Sequence, residues 1–234
     1  VKEKFITTAS HHLRTPLTVI KGYTEMLNDP KIDIEGKEKA RRNILKHTEE
    51  LEDLAEKLIH LASIQTIAEN LRLRTESLTP FLEKATKQYA TQAQKKRIDF
   101  RYVVDATAKD VHLEFYPEQL HIALANLLSN AIKYTPKGGI IRLKATANDT
   151  HVFIVVSDTG KGIPPEDISN LFSSFYHAGS PLDVQEGAGI GLFVTKEIIR
   201  AHGGNISVQS QLGKGTTFTI KLPRNSVSQL LTYL

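Results

Sequence analysis

The sequence contains no cysteine, which excludes disulfide bonds and thiol chemistry. Glycine and proline are sparse, with 14 and 9 residues in a chain of 234, so collagen-like and proline-rich architectures are excluded. No apolar run approaches the roughly 20 residues that span a bilayer, and we expect no membrane contact within this segment. A basic-then-apolar leader is also lacking, so we expect no secretion signal in it.

The chain also lacks a strong excess of one charge. Lys and Arg number 30 and Asp and Glu number 26, which gives a net charge of +4, and the two signs are interleaved. Because no basic patch forms, charge does not indicate nucleic-acid binding. A hydrophobic content of 40% and a charged content of 24% are typical of a globular protein. At roughly 150 residues per domain, the length predicts two domains.

Residues 1–70 carry two long helical periodicities. A run of turn formers over residues 28–36 separates them, which predicts a helical hairpin. In the second helix Ile44, Leu51 and Leu58 repeat at heptad spacing beside a second apolar seam, so the apolar face is wider than one partner helix covers. We therefore expect a homodimer in which two hairpins form a four-helix bundle.

A polar stretch over residues 71–79 ends at Pro80 and predicts a linker between the domains. Helices and strands then alternate over residues 80–223, and residues 224–234 form a C-terminal tail. The predicted strands are 98–104, 140–147, 152–157, 206–209 and 217–222, and the predicted helices are 79–96, 117–134 and 190–202. Because hairpin-length turns join most strands and the helices are gathered together, the pattern predicts an α+β two-layer sandwich after the all-α hairpin.

His11 lies on the solvent-facing side of the first predicted helix. At about 100° per residue, Leu13 and Leu17 share the apolar face and His11 points away from it. Thr15 continues the outward stripe one turn later, whereas His12 lies near the edge of the apolar face. An exposed imidazole with an ordinary pKa of about 6.5 is partly neutral and can attack a phosphoryl group. The alternative is a surface histidine without a chemical role.

Asn126, Asn130 and Lys133 recur at helical spacing on the polar face of the predicted helix 117–134. Two amides and an ammonium on one face suit a phosphate and its Mg2+, because an amide oxygen can complete a largely aqueous octahedral shell. The alternative is an ordinary solvated helix face.

Asp158 ends an apolar strand and begins a turn that contains Gly160 and Gly162. A carboxylate there can accept a hydrogen bond from an exocyclic amine, and the glycines would let a flat ring approach the backbone. Residues 187–192 run straight into a helix, where backbone N–H groups and the helix dipole can hold a phosphate. Residues 164–187 are long enough to form a mobile lid. Turns without any ligand are the alternative for both glycine-rich stretches.

Six motifs in this order resemble the sensor histidine kinases of two-component signalling. They are similar to the H-box (residues 5–17), the N-box (126–135), the first glycine box (158–163), the F-box (171–176), the second glycine box (187–192) and a closing Gly-Lys-Gly-Thr-Thr-Phe stretch (213–218). The resemblance covers about residues 1–223, and on these motifs the chain is identified as a member of that family.

The resemblance implies a catalytic ATP-binding domain of the sandwich type shared with DNA gyrase and the Hsp90 chaperones. It implies that His11 is the phosphoacceptor, with His12 and Thr15 as its catalytic neighbours. In the nucleotide site it implies that Asn130 holds Mg2+ and that Asp158 reads the adenine amine. The other nucleotide contacts that it implies are Asn126, Lys133, Tyr134, Gly160, Gly162, Ile163, Phe175, Gly187, Gly189, Ile190, Gly191, Leu192 and Thr217.

The activity implied by the resemblance is ATP-dependent autophosphorylation of His11, followed by phosphoryl transfer to an aspartate of a response regulator, with a reverse phosphatase activity. ATP and Mg2+ are the implied cofactors. A second copy of the chain and the receiver domain of the regulator are the implied partners. The implied location is the cytoplasm, as the cytoplasmic portion of a membrane-anchored sensor.

Two residues depart from the family pattern. The family usually has Glu or Asp directly after the phosphoacceptor, where it acts as general base, and this chain has His12. His177 stands where an arginine commonly follows the F-box. One alternative function is therefore a degraded kinase that acts as an ATP-binding or regulator-binding interaction module. The other is a gyrase-like or chaperone-like ATPase, against which the hairpin with His11 argues.

Overall fold

The N-terminal part of the protein is a helical hairpin. A computed structural model describes residues 2–66, 73–173, 176 and 190–224, and the side chains of residues 2–12, 53–54 and 56–66 lie outside that description. The hairpin consists of α1 (Lys2–Leu27) and α2 (Ile34–Thr66), which pack along each other. Asp33 begins α2 by accepting a hydrogen bond from the Gly36 N–H at 2.7 Å. The predicted hairpin is confirmed.

A two-layer α+β domain follows the hairpin. Its elements are β1 (Arg74–Ser77), α3 (Leu78–Lys95), β2 (Asp99–Val104), a 3-10 turn (Ala106–Ala108), β3 (His112–Phe115), α4 (Pro117–Tyr134), β4 (Ile140–Ala147), β5 (His151–Asp158), α5 (Pro165–Ile168), α6 (Gly191–Ala201), β6 (Asn205–Gln211) and β7 (Gly215–Pro223). The main sheet has five strands in the order β2-β4-β5-β7-β6. β2 runs parallel to β4, and the other neighbours are antiparallel.

The core lies between one face of this sheet and the helices α3, α4 and α6. Alternate residues along β5, namely Val152, Ile154 and Val156, are buried, as the period of two predicts. Leu127 and Leu128 of α4 are fully buried against the same core. The predicted α+β fold class is therefore confirmed, with the sheet mixed because one long connection through α4 makes β2 and β4 parallel.

The stretch predicted as a linker contains an ordered strand. Residues 74–77 form β1, which pairs antiparallel with β3 in a separate two-stranded sheet. Leu78 follows it and is fully buried, so its side chain belongs to the core of the α+β domain. The sequence did not reveal β1 because its four residues, Arg-Thr-Glu-Ser, include no apolar side chain with which to show a strand period.

The apolar residues predicted for one face of α1 have different surroundings in the single chain. Leu13 is partly buried and packs against the core of the α+β domain. Leu17 is 59% exposed, and Leu45 of α2 is 62% exposed. A single hairpin therefore leaves part of its apolar surface uncovered. No helix within the described ranges is long and apolar enough to cross a membrane.

Candidate active site

Asp158 lies at the end of β5, where the strand enters a glycine-rich turn. Its Oδ1 accepts hydrogen bonds from the Gly160 N–H at 2.8 Å and from the Thr216 N–H at 3.3 Å. Burial raises the pKa of the Asp158 carboxyl, while these two backbone bonds act in the opposite direction. Among the described residues none donates to the second oxygen, Oδ2. The carboxylate is thus held in place with one oxygen available to an amine.

Gly160 and Gly162 are required by the protein's own packing. A Cβ at Gly160 would lie 2.6 Å from the carbonyl oxygen of Tyr134. Gly162 has φ +69°, and a Cβ there would collide with the carbonyl oxygen of Gln211. The sequence motif predicts that both glycines let a flat ring approach the backbone. Protein backbone fills that space instead, and contact of these residues with a nucleotide stays a prediction.

Thr216, not Thr217, is the neighbour of Asp158. Along β7 the side chains of Thr216 and Phe218 are buried on the core side, whereas Thr217 is directed to the other face of the sheet. The structure therefore adds Thr216 to the site, and contact of Thr217 with the cofactor stays a prediction. The strand period could have found Thr216, since Phe218, Ile220 and Leu222 already define the inward set.

Ser210 is a site residue that the sequence analysis did not single out. Its hydroxyl accepts a hydrogen bond from the Ile163 N–H at 2.8 Å and donates to the Gly215 carbonyl at 2.9 Å. It therefore ties the turn after Asp158 to the β6–β7 hairpin. Ile163 itself is partly buried and packs against the core. A lone serine on a polar edge strand carries no motif that would reveal this role.

The polar stripe of α4 has the predicted helical arrangement. Asn126 and Asn130 are partly buried, and Lys133 is exposed. The Asn126 side-chain amide donates to the carbonyl of Gly191 at 3.1 Å, which joins the stripe to the start of α6. Within the described part of the chain, the Asn130 amide makes no hydrogen bond. Its carbonyl oxygen is available to a ligand.

Tyr134 lies between two ammonium groups at the end of α4. The Nζ atoms of Lys133 and Lys161 are 5.4 Å and 4.9 Å from its ring centroid, within the range of cation–π contacts. The Lys161 N–H also donates to the Tyr134 carbonyl at 3.3 Å. The structure thus adds Lys161, which no motif singled out, to the neighbours of Tyr134.

The start of α6 combines a partly exposed glycine with buried or partly buried apolar residues. Gly191 is its first residue, Ile190 is fully buried before it, and Leu192 packs against the core. Ile190 is inaccessible as a whole residue, so its contact with a ligand stays a prediction. Phe175, Gly187, Gly189 and most of the predicted lid lie outside the described residues. Tyr176 is described, and its hydroxyl donates to Asp167 Oδ1 at 2.5 Å.

The donor set fits a magnesium ion that shares its shell with phosphates and water. The described residues include no group of three His, Asp or Glu that could enclose a metal by themselves. On the polar stripe of α4 the candidate oxygen ligands belong to Asn126 and Asn130. Mg2+ prefers hard oxygen ligands and usually keeps several waters, with only one or two ligands from the protein. The amides therefore suit Mg2+ only together with a polyphosphate.

The acceptor candidates lie on α1, beside the α+β domain. His11 and His12 belong to this helix, but their side chains lie outside the described residues. Thr15 is exposed. Leu13, between them, packs against the core of the domain that holds Asp158, and α2 packs against α6. The helix segment with His11 therefore adjoins the domain with the nucleotide-like site.

Comparisons with known proteins agree with this arrangement. The model of the His Kinase A (phospho-acceptor) domain matches residues 1–90, and the model of the histidine kinase-, DNA gyrase B- and HSP90-like ATPase matches residues 116–226. The sensor protein SrrB of Staphylococcus aureus is 31% identical over 226 residues, which is 96% of this chain. The chain spans 38% of the length of SrrB.

Two solved histidine kinases have the same fold. AdeS of Acinetobacter baumannii is 25% identical, with a TM-score of 0.71 over 92% of this chain and 98% of AdeS. Full-length ShkA in complex with AMPPNP is 26% identical, with a TM-score of 0.65 over 94% of this chain and 45% of ShkA. With an acceptor-type hairpin and an ATPase-type domain both matched in order, the chain belongs to the sensor histidine kinases of two-component systems.

Proposed function

We propose that the protein phosphorylates itself on His11 with ATP and passes the phosphoryl group to an aspartate of a response regulator. The contact of α1 with the α+β domain carries this proposal. Leu13, two residues after His11, packs against the core of the domain that holds Asp158 and Asn126. One chain thus holds a candidate acceptor helix against the domain that carries a candidate nucleotide site. Membership of the histidine kinase family supports the same activity.

The nucleotide would be held by residues at two ends of the site. Asp158 Oδ2 would accept from the exocyclic amine of adenine, because Oδ1 is already used by two backbone donors. Asn126, Asn130 and Lys133 would lie on the phosphate side. Asn130 would provide an oxygen ligand to Mg2+, and Mg2+, when bound, would offset negative charge on the phosphates.

In the transfer, a nitrogen of His11 would attack the γ-phosphorus. An N–P bond forms, the bond from the γ-phosphorus to its bridging oxygen breaks, and ADP leaves. A neutral His12 would take the proton that the His11 ring gives up, in place of the usual carboxylate. Phosphohistidine would then transfer its group to the regulator's carboxylate. Thr15, exposed one turn from His11, would face the regulator and take part in the reverse phosphatase reaction.

We also propose that the protein works as a homodimer through the hairpin. Leu17 and Leu45 are more than half exposed in the single chain. Apolar side chains on long helices gain stability by burial against a partner, at about 25 cal/mol per Å2 of apolar surface. A second hairpin would provide that burial in a four-helix bundle.

Radiolabelling tests the kinase proposal. The parent chain, His11→Gln and His12→Gln are incubated with γ-labelled ATP and Mg2+, and the acid stability of the bound label is measured. We expect acid-labile label in the parent, slower formation of the same label in His12→Gln because the proton acceptor is lost, and no label in His11→Gln. His112→Gln, an exposed histidine on β3, is the matched control and should label like the parent.

Three results would contradict the proposal. Equal labelling of His11→Gln would place the acceptor elsewhere. ATP binding without any label in the parent would favour the interaction module. Steady phosphate release without a phosphoprotein would favour the gyrase-like ATPase.

A further inference from the structure

Thr195 lies at the contact between α4 and α6, one turn after Gly191. Its side chain is fully buried, and its hydroxyl donates to the Gly191 carbonyl at 2.8 Å. The single hydroxyl hydrogen is used in that bond, so Thr195 Oγ1 can act towards other groups only as an acceptor. The Asn126 Nδ2 donates to this oxygen at 3.4 Å and to the Gly191 carbonyl at 3.1 Å.

This triangle of hydrogen bonds selects one orientation of the Asn126 amide. Both neighbours of Nδ2 are acceptor oxygens, and the amide has two hydrogens to give them. Turning the amide over would place Oδ1 against two acceptors, and a buried acceptor without a donor costs about 1–3 kcal/mol. Thr195 and Gly191 therefore decide which end of the amide faces the site.

The selected orientation leaves the amide oxygen to the site. Among the described residues none donates to Asn126 Oδ1. This oxygen lies 3.3 Å from the point where a Cβ would stand at Gly191. A side chain there would press on the amide, so the absence of one preserves its position. Oxygen, not nitrogen, is the donor atom that Mg2+ accepts from an amide.

We propose that Thr195 is a positioning residue that orients Asn126 so that its amide oxygen faces the Mg2+ that accompanies the phosphates of the bound nucleotide. The inference rests on the proposed function for the identity of the nucleotide. It adds a residue outside the glycine-rich motif, which acts through Asn126 and touches no substrate. The proposed role belongs to the Thr195 hydroxyl. Valine has the same shape and keeps the methyl group, so Thr195→Val removes only the hydroxyl.

The test compares the affinity for AMPPNP with and without Mg2+, measured by calorimetry on the full chain. The ratio of the dissociation constant without Mg2+ to that with Mg2+ reports how strongly Mg2+ improves nucleotide binding. In Thr195→Val we expect this ratio to fall by about 10-fold, the lower end of what outer residues contribute to metal sites. Binding without Mg2+ should stay within about 2-fold of the parent. Thr195→Ser, which keeps the hydroxyl, should restore the parental ratio.

Thr86→Val is the matched control. Thr86 is also buried in a helix, and its hydroxyl donates to the Leu82 carbonyl at 2.9 Å, one turn earlier. It lies on α3, so its substitution removes the same kind of bond without changing the ratio. Gly191→Ala should also lower the ratio, because its Cβ would lie 3.3 Å from Asn126 Oδ1 and press on the amide. This variant tests the position of Asn126 if Thr195→Val folds poorly.

The other possible results distinguish the positioning role of Thr195 from the proposed kinase activity. A parental ratio in a folded Thr195→Val, or an equal loss in Thr195→Ser, overturns the role of the hydroxyl. Mg2+-dependent binding that falls in Thr195→Val, in a protein that never labels His11, refutes the proposed kinase activity and supports the positioning role. No AMPPNP binding by the parent overturns both.

Discussion

Asp158 is the proposed adenine-binding residue, and its buried carboxylate also destabilises the folded protein near neutral pH. Burial raises the pKa of its carboxyl, which means that the ionised form is less favourable in the folded protein than in the unfolded chain. A raised pKa stabilises the fold only at low pH, and that contribution is lost as the pH rises through the folded pKa. Near neutral pH the charged group therefore lowers the free energy of unfolding.

Asp158→Asn should separate the two effects. The amide oxygen can still accept from Gly160 and Thr216, but its nitrogen would oppose the amine of adenine, so we expect ATP affinity to fall at least about 100-fold. The midpoint of thermal unfolding should rise at neutral pH, and the difference should shrink in acid as the parent carboxyl protonates. Melts and nucleotide titrations check this, with the exposed Asp149→Asn as control. A loss of stability at neutral pH would contradict it.

His202 connects the end of α6 to the start of α4. It is buried, its Nδ1 contacts the Ile198 carbonyl at 2.7 Å, and its Nε2 accepts from the Tyr116 N–H at 3.0 Å. Burial lowers the pKa of the ring, so the neutral form is favoured in the folded protein. A lowered pKa stabilises the folded protein at pH values above 6.5, the ordinary pKa of histidine. That stabilisation is lost as the pH falls through the folded pKa.

His202→Phe should therefore flatten the pH dependence of stability. We expect a loss of about 1–3 kcal/mol near neutral pH, because the Tyr116 N–H is left without its acceptor. The difference in the free energy of unfolding between parent and variant should become smaller as the pH falls below 6.5. Denaturant unfolding across that range measures it. The exposed His112→Gln should keep the parental slope, and a gap that widens in acid would refute the assignment.

At the scale of the elements, the turn after β5 is held by close backbone approach. Gly138 and Gly162 both have positive φ, at +84° and +69°, but nothing lies within 4 Å of a Cβ at Gly138. We expect Gly138→Ala to cost about 1 kcal/mol from backbone strain alone. Gly162→Ala should cost more than about 3 kcal/mol, since the Gln211 carbonyl must also move. Chemical denaturation compares the two, and equal losses would show that the close approach does not matter.

The strand β1 places the start of the α+β domain within the stretch predicted as a linker. The pairing of β1 with β3 and the burial of Leu78 support a boundary before Arg74. We predict that a fragment of residues 73–224 unfolds cooperatively, while residues 80–224 lose at least about 2–5 kcal/mol, the usual cost of removing a buried leucine side chain. Circular dichroism melts check this. Equal unfolding midpoints for the two fragments would show that the domain begins at Pro80.

At the scale of the whole molecule, the hairpin needs a partner for its apolar surface. We expect Leu17→Asp to convert a homodimer into a monomer, because a charge there cannot be buried without a large cost. Sedimentation equilibrium of parent and variant measures the change. Thr18→Asp adds the same charge at the next, exposed position and should remain dimeric. A monomeric parent at micromolar concentration would refute the dimer.

Periodic patterns let the sequence determine much of the protein by itself. The hairpin, the helices α3, α4 and α6 and the five strands of the main sheet were all predictable, because apolar residues recur along each of them at a regular helix or strand period. So was the family, since its six motifs are local in the chain. The short strands β1 and β3 were not predicted, because four residues carry too little pattern.

Only the tertiary structure decided how separate segments meet. It placed the Thr216 N–H against Asp158, filled the space beside Gly162 with the Gln211 carbonyl and joined Thr195 to Asn126 across two helices. These are contacts between residues about 50 to 70 positions apart, and no local pattern encodes them. A motif names the residue types that a site needs, whereas packing decides which atoms of those residues face it.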